Sequence, residues 1–205
     1  MATERPRRKA PGWAKARIYT VGHSTRTAEA LVELLQAHGI QTLVDIRTMP
    51  RSRMNPQFNQ DALPRTLARA DIRYVHLPRL GGLRRTSKDS PNTGWRNTSF
   101  RGYADYMQTA EFSLGMKQLR ELTADGPLAL MCAEAVRWRC HRSLVADALY
   151  ARGVEARHIT SRTRAEPHKL TPFAELHGTR VLYPGSSDST PAPYGATQIP
   201  AIPSF

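Results

Sequence analysis

The chain has 205 residues, 40% of them hydrophobic, and carries 30 lysines and arginines against 17 acidic residues, a formal charge of +13. That length buries roughly 70% of the unfolded surface, so one domain with a substantial core is expected and two full domains are not. No uninterrupted apolar segment is long enough to cross a bilayer, two cysteines do not make a disulfide scaffold, and the charge should attract polyanions in a salt-dependent way.

The opening residues, MATERPRRKAPGWAKAR, are basic and lack the apolar centre of a secretory signal, which predicts a cytoplasmic protein with a basic extension over 1–16. Residues 17–21 read as a first strand, followed by GHSTRT and an amphipathic helix over 28–37 whose apolar face is Leu31, Leu34 and Leu35. Gly39 closes that helix, and Ser24 or Thr25 is its expected cap. Residues 42–46 form a short, nearly all-apolar strand of the kind buried on both faces of a parallel sheet.

A second helix is expected over 63–70 and a third strand over 74–77. Residues 78–99 show no periodicity, which predicts an active-site cover or binding loop anchored by Trp95. Apolar spacing between Tyr103 and Leu122 fits helix with a break near Gly115. A fourth strand over 127–132, a helix carrying Leu144, Val145, Ala148 and Leu149, and a fifth strand over 154–160 complete the pattern.

These alternations predict a three-layer α/β fold: a single domain over 17–183 with a mainly parallel sheet of about five strands. Residues 184–205, rich in Ser, Pro and Gly, predict an extended C-terminal tail.

Ligands of an open parallel sheet collect beyond the carboxyl ends of its strands. The expected strands end in Gly22-His23-Ser24, in Asp45 with Arg47, in His76 with Gly81-Gly82, and in Cys132 with Glu134. His23 suits proton transfer or donation to an anion, and satisfaction of loop backbone is its bland alternative. Asp45 either orients Arg47 or activates water while Arg47, Arg51 and Arg53 hold phosphate by their planar forks.

From Arg47 to Arg101 twelve basic residues face only Asp61, Asp71 and Asp89. On one face they would make a phosphate track with Phe58, Tyr74 and Trp95 as stacking groups; scattered, they would be a solvated surface.

The densest chemistry lies in MCAEAVRWRCHRSLVADAL, residues 131–149. Arg139, Cys140, His141 and Arg142 lead into a helix whose free N–H groups favour an anion or a thiolate. Cys132 to Arg137 has four intervening residues rather than the five of a cysteine-phosphatase loop, and Cys140-His141 is not a structural zinc spacing. Cys132 is read as core, Cys140 as core or site wall. No metal or other cofactor is expected. Glu134 is the chemical partner considered for Asp45, with salt bridging to Arg137, Arg139 or Arg142 as its alternative.

YTVGHSTRTAEALVELLQAHGI, LVDIRTMPRSR, YVHLPRLGG and LMCAEAVRWRCHRSLVADAL, in that order, resemble the DUF488 family across residues 18–159. The resemblance implies an α/β domain. It marks Gly22, His23, Ser24, Asp45, Arg47, Gly81, Gly82, Cys132, Glu134, Cys140, His141 and Arg142 as characteristic positions, and it brings no reaction with it.

The expectation that follows is a hydrolase directed at nucleic acid or a nucleotide. Its phosphate-side residues are Gly22, Ser24, Arg47, Arg51, Arg53, Gly81, Gly82, Trp95, Arg139, Cys140 and Arg142. Asp45, Glu134, His23 and His141 are its acid–base candidates. DNA N-glycosylase chemistry is the preferred version, with Trp95 and the RSRMNPQFN loop as wedges for an extruded base. Phosphoester hydrolysis, a non-catalytic nucleic-acid-binding adaptor, and thiol chemistry at Cys140 are the alternatives. The partners expected are DNA, RNA or a phosphate-bearing nucleotide, with no membrane.

Overall fold

The structure, a computed structural model, describes residues 12, 13 and 16–185. The extension and tail expected over 1–16 and 184–205 therefore lie outside the described residues except at 12, 13, 16, 184 and 185.

Apolar runs form the strands. β1 (Ile18–Gly22), β2 (Thr42–Asp45), β3 (Arg73–His76), β4 (Leu128–Cys132) and β5 (Ala156–Ile159) lie parallel, in the order β3-β2-β4-β1-β5. Every residue of β2 and β4 is buried, as strands covered on both faces require. A sixth strand, β6 (Ala165–Pro167), pairs antiparallel with β5, so the sheet is mixed and larger than expected. Three residues are too few for a period-2 pattern to show. A separate hairpin of β7 (Glu175–His177) and β8 (Arg180–Leu182) follows.

Helices cover both faces. α1 (Ala28–Ala37) and α2 (Leu63–Ala68) pack Leu31, Leu34, Leu35, Leu63 and Leu67 against Leu43, Ala129 and Met131. α3 (Thr98–Tyr106), α4 (Ala110–Leu122) and α5 (Arg142–Tyr150) pack Tyr103, Phe112, Met116, Leu119, Leu144 and Leu149 with Val44, Leu128 and Leu130. Each fully buried leucine of these sets contributes about 1.5–3 kcal/mol.

Two local expectations are corrected. The cap of α1 is Thr27, whose hydroxyl accepts from the Ala30 N–H at 3.1 Å, and neither Ser24 nor Thr25 serves. The helical stretch ending at Leu122 breaks before Ala110, where Thr109 caps α4, and not near Gly115. Gly115 lies inside α4 because an added Cβ would stand 2.9 Å from Leu80 and 3.0 Å from Arg79.

β4 is inserted between β1 and β2. The connections leaving β1 and β2 run to the face of α1 and α2, whereas those leaving β3 and β4 run to the other face. Chain ends that diverge to opposite faces open a crevice at the carboxyl end of β4, which places Cys132 and its neighbours there.

Candidate functional site

Ladder register aligns the chemistry. Gly22 pairs with Cys132, and Asp45 pairs with Met131 on one side and with His76 on the other. The four strand ends singled out in the sequence therefore do meet along one edge.

Around β2, Asp45 is fully buried and completely used. Its carboxylate accepts from the Arg47 backbone N–H, from Arg47 Nε at 2.9 Å and Nη2 at 2.6 Å, and from the Tyr74 hydroxyl at 2.8 Å. Burial, with the Asp45 charge, pushes the Tyr74 hydroxyl well up. Arg47 also donates to the Phe58 carbonyl at 2.6 Å and to His23 Nε2 at 3.2 Å.

His23 gives its Nδ1 hydrogen to the Ser24 carbonyl at 2.8 Å and lies 4.1 Å from the Phe58 ring. Burial pulls its pKa down to about 4. It is a neutral imidazole pinned on both nitrogens, not a base poised near neutrality. Ser24, at φ +50°, turns the chain away and donates its N–H to the Ala133 carbonyl at 2.8 Å.

Around β3, the Gly81-Gly82 turn slides beneath the β2 loop. An added Cβ at Gly81 would lie 2.7 Å from the Thr48 hydroxyl, and one at Gly82 would lie 3.0 Å from His141 Nδ1. Thr48 donates to the Gly82 carbonyl at 2.8 Å, and His76 Nε2 meets the Arg47 carbonyl at 2.9 Å. These glycines let the two loops pack closely.

Around β4, Arg142 in the first turn of α5 reaches back to the strand end. Its Nη1 donates to Cys132 Sγ at 2.8 Å and to the Glu134 carbonyl, and its Nη2 donates to the Ala135 carbonyl at 2.7 Å. The clasp presses the loop onto Gly22, where a Cβ would be only 1.8 Å from the Glu134 carbonyl oxygen. Only glycine fits there.

Burial opposes ionisation of Cys132, but a hydrogen bond from Cys140 and the charge and hydrogen bond of Arg142 outweigh it and bring the thiol to about 7. Cys140 is pushed the other way, well above the ordinary value, by burial and by Cys132. His141 donates from Nε2 to the Ile46 carbonyl at 3.0 Å, leaving Nδ1 3.7 Å from Cys140 Sγ, and burial lowers its pKa to about 4.

Several expected roles are displaced. Glu134 is exposed and its side chain makes no ion pair among the described residues. Trp95 sits away from this edge, stacked on Phe100 at 4.8 Å and edge-on to Phe173 at 4.9 Å, so it anchors the 78–99 excursion and wedges nothing. Phe58 lies buried under His23 and Tyr74 is tied to Asp45, so neither is free to stack on a base.

The basic track is broken as well. Arg73 and Arg79 form ion pairs, while Arg65, Arg84 and Arg101 are held by backbone carbonyls. Arg51, Arg53 and Arg139 are exposed, and Arg51 lines a cleft of about 510 Å³ with Asn59, Gln60 and Asp61. Cys132, expected as core, is buried and carries the Arg142 guanidinium on its sulfur. The signal for that contact was present in the Cys-His-Arg triplet entering α5, whose arginine returns to the strand end.

The described residues hold no group of three His, Cys, Asp or Glu suited to a metal ion. No curated protein and no solved structure matches the chain. The family model that does match describes a domain of unknown function and brings no activity with it. With no activity attached to the family and no metal-binding group among the described residues, assignment of the chain to hydrolases, DNA glycosylases, DNA binding or DNA repair is not supported. The match runs over residues 27–149, more than half of the 205 and within the span of the motifs quoted above, and the chain therefore belongs to the DUF488 family.

Proposed function

We propose that the carboxyl edge of the sheet binds a phosphate-bearing nucleotide. The supporting observation is the composition of three loops. The four most exposed large apolar side chains of the described residues are Met54 at 87%, Leu83 at 79%, Met49 at 69% and Trp138 at 56%. All four lie on the loops that leave β2, β3 and β4. Each loop also carries exposed arginine without a side-chain partner among the described residues: Arg51 and Arg53 beside the methionines, Arg85 beside Leu83, and Arg139 beside Trp138.

Isolated exposed apolar residues need no explanation, but four gathered on one edge and interleaved with arginines do. The pairing suits a ligand with a flat apolar ring and an anionic end. Trp138 offers a stacking face, and the guanidinium forks suit phosphate. Neighbouring strands stand about 5 Å apart, so β3, β2 and β4 place the three loops within roughly 10 Å, a span for one nucleotide rather than a long track. Leu83 adds a second argument: a bulky residue at φ +56° with its side chain in water is a backbone outlier of the kind that gathers at ligand clamps.

The test is calorimetric titration with mono- and diphosphates of adenosine, guanosine, cytidine and uridine, beside the nucleosides and inorganic phosphate. Binding of at least one nucleotide is expected, weakening as salt rises and roughly ten-fold weaker for Trp138→Ala. No heat from any nucleotide at millimolar concentration would reject the reading.

A further inference from the structure

Cys132 ends the central strand, and Cys140 stands two residues before α5, across the loop of residues 133–139. Both are free thiols and both are buried. They pack in the same core cluster, with Arg142 on Cys132, and each shifts the ionisation of the other. A structural pair of buried cysteines needs no charged neighbour. This pair has one, Arg142, unequally shared.

Arg142 Nη1 stands 2.8 Å from Cys132 Sγ, and its guanidinium is itself buried, so its charge acts on the sulfur through little water. His141 turns the lone pair of Nδ1 toward Cys140 Sγ at 3.7 Å because its Nε2 hydrogen is committed to the Ile46 carbonyl. One thiol thus has a cation that stabilises its thiolate, and the other has only a neutral imidazole that accepts its hydrogen bond.

We propose that Cys132 and Cys140 form a thiol–disulfide exchange site for small-molecule disulfides, with Cys132 the attacking thiolate and Cys140 the resolving thiol.

The Cys132 thiolate attacks one sulfur of the disulfide, forming a mixed disulfide and expelling one small thiolate. The Cys140 thiol gives its proton to the first small thiolate expelled and attacks Cys132 Sγ, expelling the second small thiolate. Two protein thiols are oxidised to one disulfide while the small disulfide is reduced to two thiols.

The opposite pKa displacements of the two sulfurs support this division of labour, since a thiol near neutrality is both ionised and still nucleophilic. Access requires residues 133–139 to lift. Polar contacts hold them: the Arg142 clasp, the Ser24 N–H on the Ala133 carbonyl, and the Arg137–Glu166 ion pair at 3.0 Å, each partner 30% exposed to screening. No side chain between Ala133 and Arg139 is buried, so opening exposes little core.

The test exposes the full reduced chain to glutathione disulfide at neutral pH, alkylates the remaining thiols, and reads intact mass and peptide maps. The wild type is expected to lose both free thiols and two hydrogens, retaining no glutathione. Cys140→Ser is expected to accumulate one glutathione on Cys132. Cys132→Ser is expected to react roughly ten-fold more slowly or not at all.

A wild type that stays a dithiol while a free cysteine peptide is oxidised alongside it would overturn the proposal, as would a Cys132→Ser chain that takes up glutathione as fast as Cys140→Ser. The wild-type arm decides even if a serine variant fails to fold. Nucleotide binding is not required for either outcome.

Discussion

Two aspartates among the described residues are wholly buried, and they do different work. Asp45 is satisfied at the rim of the sheet by Arg47, two residues on in the chain, and by Tyr74 from the neighbouring strand. Asp147 is satisfied inside α5 by groups far along the chain: His168 at 2.8 Å, the Thr171 N–H and hydroxyl, and the Tyr183 hydroxyl at 2.8 Å.

The Asp147 network continues from His168 to His158 at 2.9 Å and on to the Thr20 hydroxyl at 2.7 Å, linking α5 to β5 and β1. The first aspartate orients one arginine toward a crevice. The second clamps the segment after β6 onto the core. Equal burial and similar donor counts thus separate a site from a fastening by where the partners come from.

The largest expected effect tests the fastening. Asp147→Ala strands four donors in the core, each costing about 1–3 kcal/mol before relaxation, so a loss of about 4 kcal/mol is expected in urea unfolding. Limited proteolysis should then cut first between Lys169 and Arg180. A loss no greater than that of an exposed aspartate would erase the contrast between the two regions.

Asp45→Ala leaves the buried Arg47 guanidinium without its counter-charge, and a loss of about 3 kcal/mol is expected. Here the segment after β6 should remain protease-resistant, while nucleotide binding falls with the displaced Arg47 loop. Unchanged binding would separate this network from the proposed ligand edge.

Acid sensitivity touches both regions. Burial lowers His23 and His141 to about 4 and His158 to about 3, all from an ordinary 6.5. Between these values the unfolded chain binds protons that the folded chain refuses. Stability is therefore complete above 6.5 and declines as the pH falls toward 4. The urea midpoint should drop between neutral pH and about pH 5, and His158→Gln should flatten that slope by removing the Asp147-side share. A flat profile in the wild type would mean these rings are protonated in the fold.

The chain announced its parallel strands because β2 and β4, buried on both faces, must be apolar at almost every position. It announced the ends of those strands as the chemical places for the same reason: polar residues stop the runs where the sheet stops. It did not announce β6, three residues long, nor the role of Thr27, because GHSTRT offers several hydroxyls and only the turn at Ser24 decides which one meets the helix.

Composition and periodicity determined by themselves that this chain makes an α/β domain with its reactive residues at strand ends. Only the tertiary structure decided which of those residues are spent and which are free. Asp45 is held by Tyr74 from the next strand as well as by its neighbour Arg47, His23 by Arg47 and His141 by the Ile46 carbonyl, whereas Cys132 acquires a cation from ten residues away once α5 folds back on β4. A hydrogen bond needs its partner within about 3 Å and suitably aimed. Hydrophobic period carries no such information, because burial is non-directional and depends on area alone.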